Sequence, residues 1–228
     1  MSAHRSTEEV VARLVDAIEP VRPVPTVRWQ VMRVAAVWVA TAAIVALWLG
    51  IHPLAVFERA GSSASVAAAL ALVGFAGLTL GLAIRIPGRE RLAGAGALGI
   101  AMGVGILAVL GLLLPGFLGD AGALRECMDC ARRSLLLAIP SGLIALALAL
   151  RGAGWRPTIT GIGLVIGATS LGALLVHMSC QSLDPWHWLI AHALLPVLAG
   201  LTVGVVVAAI LDLLARRSAR AAAKRAGL

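Results

Sequence analysis

Charged side chains are scarce in this chain. They make up 13% of its 228 residues, about half the share of an ordinary soluble domain. With a mean hydropathy of +0.97, that scarcity excludes a water-soluble globule and points to an integral membrane protein. Alternation is missing too. A membrane barrel would show segments of about ten residues switching between apolar and polar, and no segment here does, so helices are the expected spanning element. Ionisable groups are absent from the middle of every apolar run, where they are costly and mark transport pathways or proton relays. Arg33 and Asp212 sit near one set of run ends and His177 and His192 near the other. A pump or proton-coupled transporter is therefore disfavoured, and no internal repeat supports one.

What the chain does have is six apolar runs of spanning length: Val31–Gly50, Ser65–Ile84, Leu92–Leu114, Ser134–Leu150, Thr158–Met178 and Leu189–Leu214. The first is expected to be a span rather than a cleaved leader, because the mostly polar residues 1–29 precede it and no small-residue cleavage site follows. Short cytoplasmic loops collect Arg and Lys. With the N-terminus inside, 15 of the 19 basic residues fall on the inner side, and only Arg59, Arg125, Arg132 and Arg133 fall outside. The expected fold is all-α and polytopic, six transmembrane helices with both termini cytoplasmic. Its parts are a cytoplasmic segment 1–29, a six-helix bundle 30–214 and a basic tail 215–228. The net charge of +8 follows from this topology, so no direct nucleic-acid partner is implied; the bilayer is. Trp48, Trp186 and Trp188 fall at outer span ends and Trp29 and Trp155 at inner ones, as interfacial indoles do, while Trp38 falls inside a span.

Small residues four apart let helices approach closely in lipid. The pairs Gly77 with Gly81, Gly99 with Gly103, Gly163 with Gly167, and Gly200 with Gly204 predict a tightly packed bundle.

Residues 6–19, STEEVVARLVDAIE, read as a short amphipathic helix. Ser6 and Glu9 fit a capping box, Val10, Val11, Leu14, Val15 and Ile18 share one face, and Pro20 stops the helix. So short a helix is marginal alone. A lipid-surface helix would be basic on its polar face, yet here Arg13 stands against Glu8, Glu9, Asp16 and Glu19. The stripe is expected to dock in a protein groove.

The stretch 123–134, ALRECMDCARRS, concentrates charge and two cysteines in the loop expected between the third and fourth spans, on the outer side. Cys180 falls in the next outer loop, so all three cysteines face an oxidising compartment. Cys127 and Cys130 form a CxxC pair. His177 lies three residues before Cys180, and His187 and His192 follow at the start of the last span. Thiolate and imidazole suit soft or borderline ions such as Zn, Cu(I) or Cd, with Cys130, Cys180 and His177 as candidate ligands. A structural disulfide from Cys130 to Cys180 is equally compatible with the residues.

LVDAIEPVRPVP before the first span, CARRSLLLAIP at the fourth and HMSCQSLDPWHWLIAH between the fifth and sixth resemble the NrsF-type membrane anti-sigma factors, over nearly the whole chain. The resemblance implies a protein of the bacterial inner membrane whose N-terminal segment holds an extracytoplasmic-function sigma factor, here through Val10, Val11, Leu14, Val15 and Ile18. It also implies two outward-facing cysteines that sense heavy-metal or related stress. By position these are Cys130 and Cys180, and Cys127 is an addition to the family pattern. No catalysis and no resident cofactor are expected, a soft or borderline metal ion entering only as a signal. Two other classes are weighed beside this one. A membrane thiol-disulfide oxidoreductase would use the CxxC pair but would want a second pair for onward electron transfer. A metal or small-solute permease conflicts with the uncharged midplane.

Overall fold

The computed structural model describes residues 8, 12, 15, 24–49, 61–113, 121–151, 156–180, 182 and 184–225. Among them are helices and turns and no strand. In chain order they form α1 (Val27–Leu49), α2 (Gly61–Ala83), α3 (Glu90–Leu113), α4 (Ala121–Ala149), α5 (Pro157–Ser179), the short α6 (Pro185–His187), a π-helical stretch (Trp188–Leu194) and α7 (Leu195–Arg225). Six segments are long and apolar enough to cross a membrane: Val27–Trp48, Ser63–Ala83, Glu90–Leu113, Arg125–Ala149, Pro157–Ser179 and Trp188–Arg217.

α5 is the hub. It carries no acidic or basic residue before His177, and a helix apolar all round belongs inside a bundle. α2, α4 and α7 pack around it, α3 lies against α2, and α1 leans on α4 and α2. Large apolar side chains face outward instead, as at Leu47, Leu112 and Leu113. That is the distribution of a bundle whose surroundings are themselves apolar.

Glycine sets the depth of the seams. A Cβ placed on Gly77 would lie 2.8 Å from the Gly167 nitrogen and 2.9 Å from the Gly163 carbonyl oxygen, so α2 and α5 meet backbone to backbone there. Gly81, Gly99, Gly103, Gly200 and Gly204 also face neighbouring helices closely. Gly172, which the four-residue spacing does not single out, sits against the Ser134 carbonyl of α4. Gly77→Val is expected to destabilise the folded protein by about 1–3 kcal/mol. Gly94→Ala, whose Cβ would meet nothing within 4 Å, is expected to be neutral. Thermal melting of the two variants in detergent checks both.

Trp38, out of place as an interfacial residue, is a cross-helix tie. Its indole N–H donates to the Leu171 carbonyl of α5 at 2.9 Å, and its ring meets Phe75 of α2 edge-on.

Two segments depart from the expectation drawn from the sequence. The stretch 123–134 is helical, forming the first turns of α4 rather than a loop. It contains neither Gly nor Pro, and Asp129 and Arg132 pair along the helix at i,i+3. The sixth span starts with π-helical winding. Pro196 has no N–H for the carbonyl of His192, so the α-helical ladder breaks at that point and the preceding turn widens. α7 also runs beyond its apolar stretch through the basic tail to Arg225, with Arg216 paired to Asp212 at 2.7 Å.

At the end of the bundle opposite the cysteines, Arg85 is buried and its Nη1 donates to the Leu148 carbonyl at 2.9 Å. Burial pulls its pKa down to about 10, which leaves it charged at neutral pH. It thus places a cation at the C-terminal end of α4, the end where cations are stabilised.

Candidate functional site

The cysteines and histidines converge at one end of the bundle because several local choices agree. Starting α4 as early as Ala121 puts Cys127 and Cys130 on a rigid helix. α5 ends at Ser179, and Cys180 turns to extended backbone (φ −71°, ψ 129°), which directs its side chain away from the course of the helix. His187 and His192 are five residues apart and would lie about 140° apart around an α-helix. The π winding, with i→i+5 bonds, returns the fifth residue toward the same face. Their ring centroids are 5.4 Å apart.

His187 is the hinge of the cluster. Its Nε2 lies 3.4 Å from the Cys180 sulfur and its Nδ1 lies 3.4 Å from the Cys127 sulfur. None of the three cysteines is in a disulfide, and Cys127 is the buried one at 2% exposure. The Cys180 thiol is held well below its ordinary pKa by the hydrogen bond from the Cys130 thiol and, after it, by the one from His187; burial opposes both. The His187 imidazole is raised above its ordinary value, first by that same bond to Cys180. Both directions favour the anionic form of the Cys180 sulfur, the form in which a thiol is a nucleophile or metal ligand.

One potential ligand atom from each of Cys130, Cys180, His187 and His192 falls within 4.8 Å of the others. His192 is fully buried, its nitrogens make no well-formed hydrogen bond, and the Cys180 sulfur is the polar group that acts on it. A cavity of about 370 Å³ opens onto the thiols, lined by Glu126, Asp129, Cys130, Arg133, Cys180 and His187 among others.

His177 is placed differently. Its Nε2 sits 3.2 Å from the Ser63 hydroxyl and 3.1 Å from the Ser63 carbonyl oxygen, and its ring packs edge-on against Trp188 and His192. The structure therefore brings Cys130 and Cys180 together, and it sets Cys127 beside His187 and His177 beside Ser63. His187 and His192 are the members that ligand spacing alone does not assign. The signal for them was the five-residue interval followed by Pro196.

Of the N-terminal stripe, Val15 is helical and 60% exposed, and Glu8 and Ala12 are also helical and exposed. Val10, Val11, Leu14 and Ile18 lie outside the described residues.

Residues 14–211 match the NrsF family, described as negative regulator of sigma F. Neither the curated proteins nor the solved structures provide a match.

Proposed function

Since the chain belongs to the NrsF family, we propose that it is an anti-sigma factor of the bacterial inner membrane, which holds an extracytoplasmic-function sigma factor at the cytoplasmic face and releases it on an external stress signal. Residues 1–29 form the sigma-binding segment, with Val10, Val11, Leu14, Val15 and Ile18 as its contact stripe. Residues 30–214 form the bundle, residues 215–228 the basic tail, and both termini are cytoplasmic. The protein performs no catalysis.

The observation that carries the sensing half of this reading is the meeting of Cys130 and Cys180, from α4 and from the end of α5, beside the imidazole of His187. A metal ion or an oxidant acting there joins α4 to the end of α5 more firmly than packing and the thiol hydrogen bond do. It shifts the bundle toward an arrangement with lower sigma affinity, because a signal moves a two-state protein only through its differential affinity for the two states. The exposed Val15 is consistent with a stripe available to a partner. Membrane sedimentation tests the reading. The sigma factor is expected in the membrane pellet of unstressed cells that contain this chain and in the supernatant of cells that lack it. A sigma factor found in the supernatant of both would contradict it.

A further inference from the structure

The geometry points to a four-coordinate site for a d¹⁰ divalent cation of the zinc and cadmium class, built from Cys130, Cys180, His187 and His192. The inference deepens the reading that the outer thiols receive the signal, and it adds the two histidines to them.

Tetrahedral coordination at ordinary zinc bond lengths places sulfur and nitrogen ligands about 3.5 Å apart. The Cys180 sulfur and His187 Nε2 already stand at 3.4 Å, and the whole set closes within 4.8 Å, so small side-chain rotations complete the shell. His192 gives the independent indication. A buried imidazole whose nitrogens lack a well-formed hydrogen bond and whose polar influence is the Cys180 sulfur is costly, and a metal–nitrogen bond removes that cost at one nitrogen. His187 would bind through Nε2 while its Nδ1–H donates to the Cys127 sulfur, 3.4 Å away; such an outer contact fixes the tautomer of a ligating histidine. Cys127 then has a positioning role.

Charge favours this ligand set. A dication with two thiolates and two neutral imidazoles is neutral overall, which suits a site beside the membrane interior. Loading releases the protons that the two thiol ligands still hold. Glu126 and Asp129 at the mouth of the cavity attract a cation on approach, and Arg133, on the same wall, moderates that attraction. The π stretch supplies specificity, because only that winding carries His187 and His192 to one face.

The test uses full-length protein in detergent, reduced and metal-free, titrated with Zn²⁺ against a chromophoric chelator, with Co²⁺ as a spectroscopic probe. One ion per chain is expected, and bound Co²⁺ should show tetrahedral bands with thiolate charge transfer. His187→Phe and His192→Phe, which keep ring volume, are each expected to lower affinity by roughly a hundredfold or more. His177→Asn is expected to bind like the parent. Should His192→Phe fail to melt cooperatively, His192→Gln takes its place under the same criterion. No binding by the parent, an octahedral Co²⁺ spectrum, or histidine variants that bind like the parent would each overturn the site. Sigma capture by the metal-free preparations is scored separately, so its failure would overturn the anti-sigma reading and leave the metal site standing.

Discussion

Cys130→Ser and Cys180→Ser are each expected to abolish release of the sigma factor in response to soft metals or thiol oxidants while leaving resting capture intact. The two thiols come from different helices and meet at one point. Losing either removes the sulfur pair that lies together between α4 and the end of α5, and it leaves the opposite end of the bundle untouched. A structural staple would behave otherwise, since its loss from either side should destabilise the bundle and raise basal sigma activity. Cys127→Ser is expected to keep the response, because a serine hydroxyl can still accept from His187 Nδ1–H. A reporter gene driven by the sigma factor, read with and without Cd²⁺ or a thiol oxidant, checks all three. A full response from Cys130→Ser or Cys180→Ser would remove that residue from the sensing role.

Replacing Leu14 and Ile18 together by Asp is expected to free the sigma factor constitutively, with the protein still in the membrane. Each substitution would bury a charge without a partner in the sigma groove. Losses of this kind amount to about 3 kcal/mol or more, roughly a hundredfold in affinity. The same reporter without any stress shows the rise, and a membrane blot confirms that the variant is present. Unchanged basal activity would return the stripe to the lipid surface.

Much of this architecture is legible in the chain. Six apolar runs announce six helices because burial against lipid needs length and apolar composition alone. Gly77, Gly163 and Gly167 announce the α2–α5 seam through their spacing. The site was legible only in part. The family resemblance could single out Cys130 and Cys180, but a pattern built on 3.6 residues per turn separates His187 from His192, and only a broken ladder at Pro196 reunites them. The spacing of His177 and Cys180 suggested a shared face, yet α5 stops between them and sends one to Ser63 and the other to the thiols. Gly172 escaped because its partner four residues away is Ala168 rather than a second glycine.

The central claim is that events at the outer thiols change the hold on a sigma factor at the opposite face. The most direct measurement sediments membranes from spheroplasts before and after exposure to a membrane-impermeant thiol reagent, and follows the sigma factor between pellet and supernatant. The account predicts that the sigma factor begins in the pellet and moves to the supernatant in the parent, and stays in the pellet when Cys130 and Cys180 are both serine. A sigma factor that remains in the pellet of the treated parent, or that leaves it equally in the double variant, would contradict the account.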